Sequence, residues 1–94
     1  MTSKGALVAL ARALATAHGR DGIAVTCVAP GLTDTPAARA GLPAAAFDAV
    51  RARQALPRAL RPDDVTATVT FLASDGAAAL TGQVLCTDGG LVMR

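Results

Sequence analysis

The chain has 94 residues, no Trp or Tyr, two Phe, and a formal net charge of +2. That length allows at most one small domain, and 52% hydrophobic against 17% charged residues describes a core-forming chain, not a disordered one. So small a charge, with no basic cluster interleaved with aromatics, excludes a nucleic-acid binder. The apolar stretches fall short of the roughly 20 residues of a membrane span, and the first residues lack the pattern of a secretory leader.

Residues 2–17 are rich in Ala and Leu and carry Gly only near the start, so they are predicted as a helix. Ala6, Leu7, Leu10, Ala13, Leu14 and Ala17 recur at helical spacing and define one face. Lys4, Val8, Ala11 and Ala15 form a second stripe, nearly as apolar, and a helix greasy on two sides packs against two things. His18 falls at the helix end, where the dipole favours a cation, and reads as a solvated side chain. Gly19-Arg20-Asp21-Gly22 turns the chain. Ile23 to Ala29 is a nearly continuous apolar run, expected to be a strand covered on both faces of a parallel sheet. Pro30-Gly31 stops it.

Thr35-Pro36 joins a hydroxyl cap to a residue whose fixed φ suits a first turn, so a short helix should run to about Ala40. After Gly41-Leu42-Pro43 a second helix is expected from Ala44 to Gln54, with Phe47 and Val50 inward and Arg51 and Arg53 outward. A loop over Pro57 to Arg61 leads to Pro62-Asp63-Asp64, a helix start with acids in its first turn. Val65, Val69 and Leu72 then stand at core spacing. The two acids read as helix-start charges, because adjacent helical residues do not face each other. Ser74-Asp75-Gly76 ends the helix, and Gln83 to Thr87 is a second strand closed by Asp88-Gly89-Gly90. Cys27 and Cys86 lie within the strands and read as buried reduced thiols, with neither the spacing nor the partners of a metal site. Helix, strand, helices, strand implies a right-handed crossover and parallel pairing. Two strands alone expose both edges, so the expected class is α/β, one end of a larger doubly wound parallel sheet.

Ligands of open α/β sheets sit outside the carboxyl ends of the strands. The first strand delivers Pro30-Gly31-Leu32-Thr33-Asp34-Thr35 to that edge. This segment resembles the Pro-Gly-x-x-x-Thr stretch of the short-chain dehydrogenases/reductases. Met1-Thr2-Ser3-Lys4-Gly5-Ala6, read with a Tyr before Met1, resembles that family's Tyr-x-x-x-Lys catalytic segment. Arg61-Pro62-Asp63-Asp64-Val65 with Phe71-Leu72-Ala73-Ser74-Asp75 is similar to a third signature. Leu80-Thr81-Gly82-Gln83 with Asp88-Gly89-Gly90 is similar to a fourth, and all stand in family order. Thr26 departs from the pattern, since many relatives have Asn there. Within the family the general similarity is greatest to the 3-oxoacyl-[acyl-carrier-protein] reductase type.

The resemblance implies a Rossmann-like domain, NAD or NADP as cofactor, and hydride transfer with an alcohol, ketone or acyl-carrier substrate. It also implies a cytoplasmic homo-oligomer, dimer or tetramer, with a helix–helix seam along the first helix and with neither nucleic acid nor membrane as a partner. Lys4 would be catalytic, holding the cofactor ribose and lowering the Tyr pKa. A cation ~4 Å away at an effective dielectric of ~20 favours phenolate by about 4 kcal/mol, or roughly 3 pKa units. Pro30 and Gly31 would shape the approach to the cofactor. Thr33 would meet the nicotinamide carboxamide through its backbone, and Thr35 would reach the carboxamide or pyrophosphate through its hydroxyl. The segment from Pro36 to Gln54 covers the substrate in relatives, yet it names no ligand.

The 94 residues contain no Tyr and no Gly-x-x-x-Gly-x-Gly after a strand. The resemblance therefore implies that residues 1–94 are the C-terminal portion of a single such domain, incomplete as a domain and inactive by itself. The alternative is a non-catalytic relative that associates through its first helix as an interaction or regulatory partner.

Overall fold

The computed structural model describes residues 2–92. Helix α1 spans Thr2–His18 and strand β1 spans Cys27–Pro30. Helices α2 (Pro36–Gly41), α3 (Ala44–Arg53) and α4 (Pro62–Leu72) follow, and strand β2 (Val84–Thr87) comes last. The order expected from sequence is the order observed. The two strands form one two-stranded sheet. Cys27 N donates to Gln83 O and Gly31 N to Thr87 O, both at 2.9 Å. The constant sequence offset between these bonds is parallel register. Alternate amides of β1 point at β2, so Pro30, which has no N–H, occupies a position whose amide would point away from it.

The chain divides into two units. The first comprises residues 2–28 and 69–85, and the second residues 29–68 and 86–92.

In the first unit only one of the two stripes of α1 is covered. Ala11 and Ala15 are 8% exposed, whereas Leu7 and Leu10 are 59% and 54% exposed. Within this unit, then, the small stripe is buried and the leucine row is open. Ala15 packs against the turn at Gly82, where an added Cβ would stand at an ordinary contact distance of 3.8 Å from Ala15 Cβ. Leu7, Leu10 and Leu14 instead wall an open groove with residues 25–28.

The first strand is shorter at its start than the apolar run suggests. Val25 N donates to Thr81 Oγ1 at 3.1 Å, Gly82 N donates to Val25 O at 2.8 Å, and Thr26 Oγ1 donates to Leu80 O at 2.6 Å. Side-chain hydroxyls thus share the pairing with the backbone ahead of Cys27, and Thr26 has a defined hydrogen-bonding role. The expectation of cover on both faces is corrected. The residues of both strands are half-buried except Pro30, which is exposed. Cys27 and Cys86 are free thiols, half-buried and not the buried ones expected.

In α4, Val69 is 50% exposed and lines an open groove with Ala24, Thr26 and Val28. The inward row runs through Val65, Thr68 and Leu72, all half-buried. Thr68 Oγ1 bonds to Asp64 O at 3.3 Å and receives the Thr87 hydroxyl at 3.4 Å. Thr68 thus adds a polar contact to this row.

These packings order two substitutions. Ala15→Leu is expected to destabilise the chain by roughly 1–3 kcal/mol through overpacking, and Leu10→Ala to change stability by no more than about 0.5 kcal/mol. Urea unfolding of the two variants checks this, and the opposite ranking would reverse the assignment of the buried face.

Candidate functional site

The segment that leaves β1 lies wholly in the second unit, so its geometry is internally defined. Gly31 N is bonded to Thr87 O, at the end of β2. A Cβ on Gly31 would lie 2.8 Å from both Cα and Cβ of Asp88 and 3.3 Å from Leu60 Cδ1. Glycine is thus demanded at this corner by the protein's own packing. Asp88 is itself buried, and its carboxylate accepts from Gly90 N at 3.0 Å and Val92 N at 3.2 Å. Gly89 and Gly90 both have positive φ, at 66° and 79°, which a glycine adopts without steric cost.

Beyond the corner, Thr33 forms an isolated parallel bridge with Leu60, and Asp34 N donates to Leu60 O at 2.7 Å. In such a bridge the central residue's own amide and carbonyl point away from the partner segment. The backbone of Thr33 is therefore not spent on Leu60, while its side chain donates to Gly31 O at 3.1 Å. Thr35 caps α2 as expected: its Oγ1 accepts from Ala38 N at 3.1 Å, with Pro36 opening the helix. An oxygen that accepts the cap bond keeps its own O–H free to donate. Pro30, Gly31, Thr33 and Thr35 are brought together along six residues of one half-buried loop, with only Pro30 exposed.

Lys4 belongs to the first unit, in the first turns of α1, and is exposed. It stands on the stripe of Val8, Ala11 and Ala15, which turns toward the unit's interior further along the helix.

Two charged clusters had no helical spacing to announce them. Arg39 Nε and Nη2 meet Asp34 Oδ1 and Oδ2 at 2.8 and 3.0 Å, across the Thr-Pro cap. This guanidinium holds the Asp34 carboxyl below the ordinary carboxylate range. Arg58 makes a similar fork on Asp64 at 3.0 and 2.9 Å, and Asp64 Oδ2 also accepts from Arg61 N at 2.8 Å. The Arg58 bonds, then the Arg61 amide, hold Asp64 well below its usual range. Asp64 thereby closes the start of α4 from its third position, as helix-start acids do. Gln54, buried at the end of α3, was also missed. Its Nε2 donates to Leu56 O and Arg58 O, both at 3.0 Å, and fastens the loop that carries Leu60. Among the described residues, no cluster of His, Cys, Asp and Glu is suited to hold a metal, and no helix is long and apolar enough to cross a membrane.

With this geometry in hand, the family is clear. A family model described as enoyl-(acyl carrier protein) reductase matches residues 1–92, and the chain belongs to the short-chain dehydrogenase/reductase family. It is 48% identical over 90 residues to a probable short-chain type dehydrogenase/reductase of Bradyrhizobium diazoefficiens, covering 96% of this chain and 32% of that protein. A meso-2,3-butanediol dehydrogenase of Serratia marcescens is 42% identical over 88 residues, 94% of this chain and 35% of the relative. Among solved structures, 4-hydroxyisoleucine dehydrogenase complexed with NADH and succinate matches with a TM-score of 0.83 at 28% identity. That match covers 97% of this chain and 36% of the other. The fold is the α/β arrangement of these Rossmann-like dehydrogenases, and the chain spans about a third of the length of the relatives it matches.

Gly31→Ala is expected to cost roughly 1–3 kcal/mol, because backbone as well as side chain of Asp88 must move. Thermal unfolding measures it, and an unchanged midpoint would show that the corner is loose. The two lowered carboxylates also predict the acid limb. A depressed carboxyl contributes its full stability above the ordinary value of 3.8 and loses it as pH falls through the lower folded value. The unfolding midpoint should therefore decline below about pH 4, less steeply in Asp64→Asn than in the wild type.

Proposed function

We propose that the chain carries the active-site lysine and the nicotinamide-facing corner of an NAD(P)-dependent oxidoreductase interconverting an alcohol and a ketone. The observation that supports this most directly is the Pro30–Thr35 loop, with its Thr33 backbone and Thr35 O–H left unspent, in a chain matched by the family model over residues 1–92. These groups fit a carboxamide, which offers one carbonyl acceptor and an amide donor. Thr33 would bond it through the backbone, and Thr35 would donate its hydroxyl hydrogen to the carboxamide or to a pyrophosphate oxygen. Pro30 and Gly31 would hold that loop in shape. Lys4, three-quarters of a turn or so into α1, would hold the ribose and keep a neighbouring phenol ready to lose its proton. Bound nicotinamide would supply or accept the hydride.

Residues 1–94 fit the C-terminal part of one such domain, and they hold no Tyr to exchange a proton with the substrate oxygen. In this reading the polypeptide by itself neither turns over nor binds NAD(P)H tightly, and the whole enzyme is a cytoplasmic homo-oligomer acting on small molecules. The exposed leucine row of α1 favours a second reading: a non-catalytic relative that associates with other copies of the family through that helix.

A chimera separates the two. Substituting residues 1–94 for the matching third of the Serratia dehydrogenase should give measurable nicotinamide-dependent dehydrogenation of meso-2,3-butanediol. Lys4→Met in that chimera should lower kcat by about 10²-fold or more. A folded chimera that binds NADH but is indifferent to Lys4 would remove the lysine from the reaction and favour the second reading.

A further inference from the structure

The corner that holds Thr33 and Thr35 is not closed by its backbone alone. Asp34 lies between those two threonines, and its carboxylate is held by both Nε and Nη2 of Arg39, on α2. The same guanidinium lies over the ring of Phe47, on α3, with Cζ 4.0 Å from the ring centroid. Phe47 is buried, and Asp34 N is bonded to the carbonyl of Leu60, which is 3% exposed. The space enclosed by Leu32, Arg39, Phe47, Gln54 and Leu60 is about 20 Å³, room for one water at most. It is a filled joint, not a ligand cavity.

We propose that Arg39 is a positioning residue: it pins α2 and α3 to the Thr33–Thr35 loop, so that the loop keeps its shape before any ligand arrives. The chemistry requires arginine. A planar guanidinium can present one edge to a carboxylate and one face to an aromatic ring at the same time, which the point charge of a lysine cannot. Asp34 and Arg39 are five residues apart and flank the helix cap, so the ion pair restrains the turn between them. Phe47 extends the restraint to α3, ten residues beyond Gly41-Leu42-Pro43 at most. What the pinned helices cover rests on the function proposed above, but the pin itself does not.

Amide hydrogen exchange of the full 94-residue chain tests this without nucleotide, so its outcome is independent of the oxidoreductase reading. In Arg39→Met, amides of residues 33–50 should exchange about five- to tenfold faster than in the wild type, the size of effect one such clasp can hold. Amides of α1 and β2 should be unchanged. Arg39→Lys should behave like Arg39→Met, because retained charge without the planar fork does not rebuild the joint. Phe47→Leu should reproduce the effect, and combining it with Arg39→Met should add little more. Wild-type exchange in Arg39→Lys, or an equal acceleration across both units, would overturn the proposal. Should Arg39→Met fail to fold, Arg39→Lys alone decides between these outcomes.

Discussion

The close approach of Gly31 to Asp88 is the constraint on which the site depends. Two strand ends meet there, joined by the bond from Gly31 N to Thr87 O, and no side chain fits between them. Asp88 can occupy that position because its carboxylate is satisfied by two amides of its own turn, Gly90 N and Val92 N. A buried carboxylate without those donors would cost several kcal/mol. The turn in turn exists because Gly89 and Gly90 accept positive φ. A chain of local requirements in the turn after the last strand thus shapes a loop 57 residues earlier, measured from Gly31 to Asp88.

The polar contacts around that corner act through geometry more than through bulk stability. Arg39 with Asp34 and Arg58 with Asp64 lie near the surface, where water screens the attraction and leaves little net energy in such pairs. Their forked bonds do fix orientation. One braces the turn into α2 and the other the start of α4, and Gln54 secures the loop between. The side-chain amide of Gln54 faces Gly89, where a Cβ would lie 2.7 Å from its nitrogen.

Local chemistry was legible where it acts over a few residues. The Thr35-Pro36 cap, the breaks at Gly41-Leu42-Pro43 and Asp88-Gly89-Gly90, and the helix-start role of Asp63-Asp64 follow from short-range rules of turns and helix ends. Phe47 was identified as a core residue of α3 by its spacing. The Pro30–Thr35 segment was legible as a run of six residues after a strand, and the roles proposed for it and for Lys4 came from the family resemblance. Gln54, Asp88 and the partnership of Asp34 with Arg39 were not, because their partners are set by long-range packing or by spacings outside the helical repeat.

Residue types and their order determined the succession of elements, the parallel pairing of two strands and the family to which the chain belongs. Hydropathy could not tell which face of α1 is buried, since periodicity ranks two apolar stripes alike. Tertiary structure decided for the small one, with Ala15 buried against the Gly82 turn. It likewise decided the hydroxyl contact of Thr68 with Thr87, and the length of β1, through Thr26 and Thr81. Each of these depends on a distance between residues far apart in the chain, and such a distance exists only once the chain has folded.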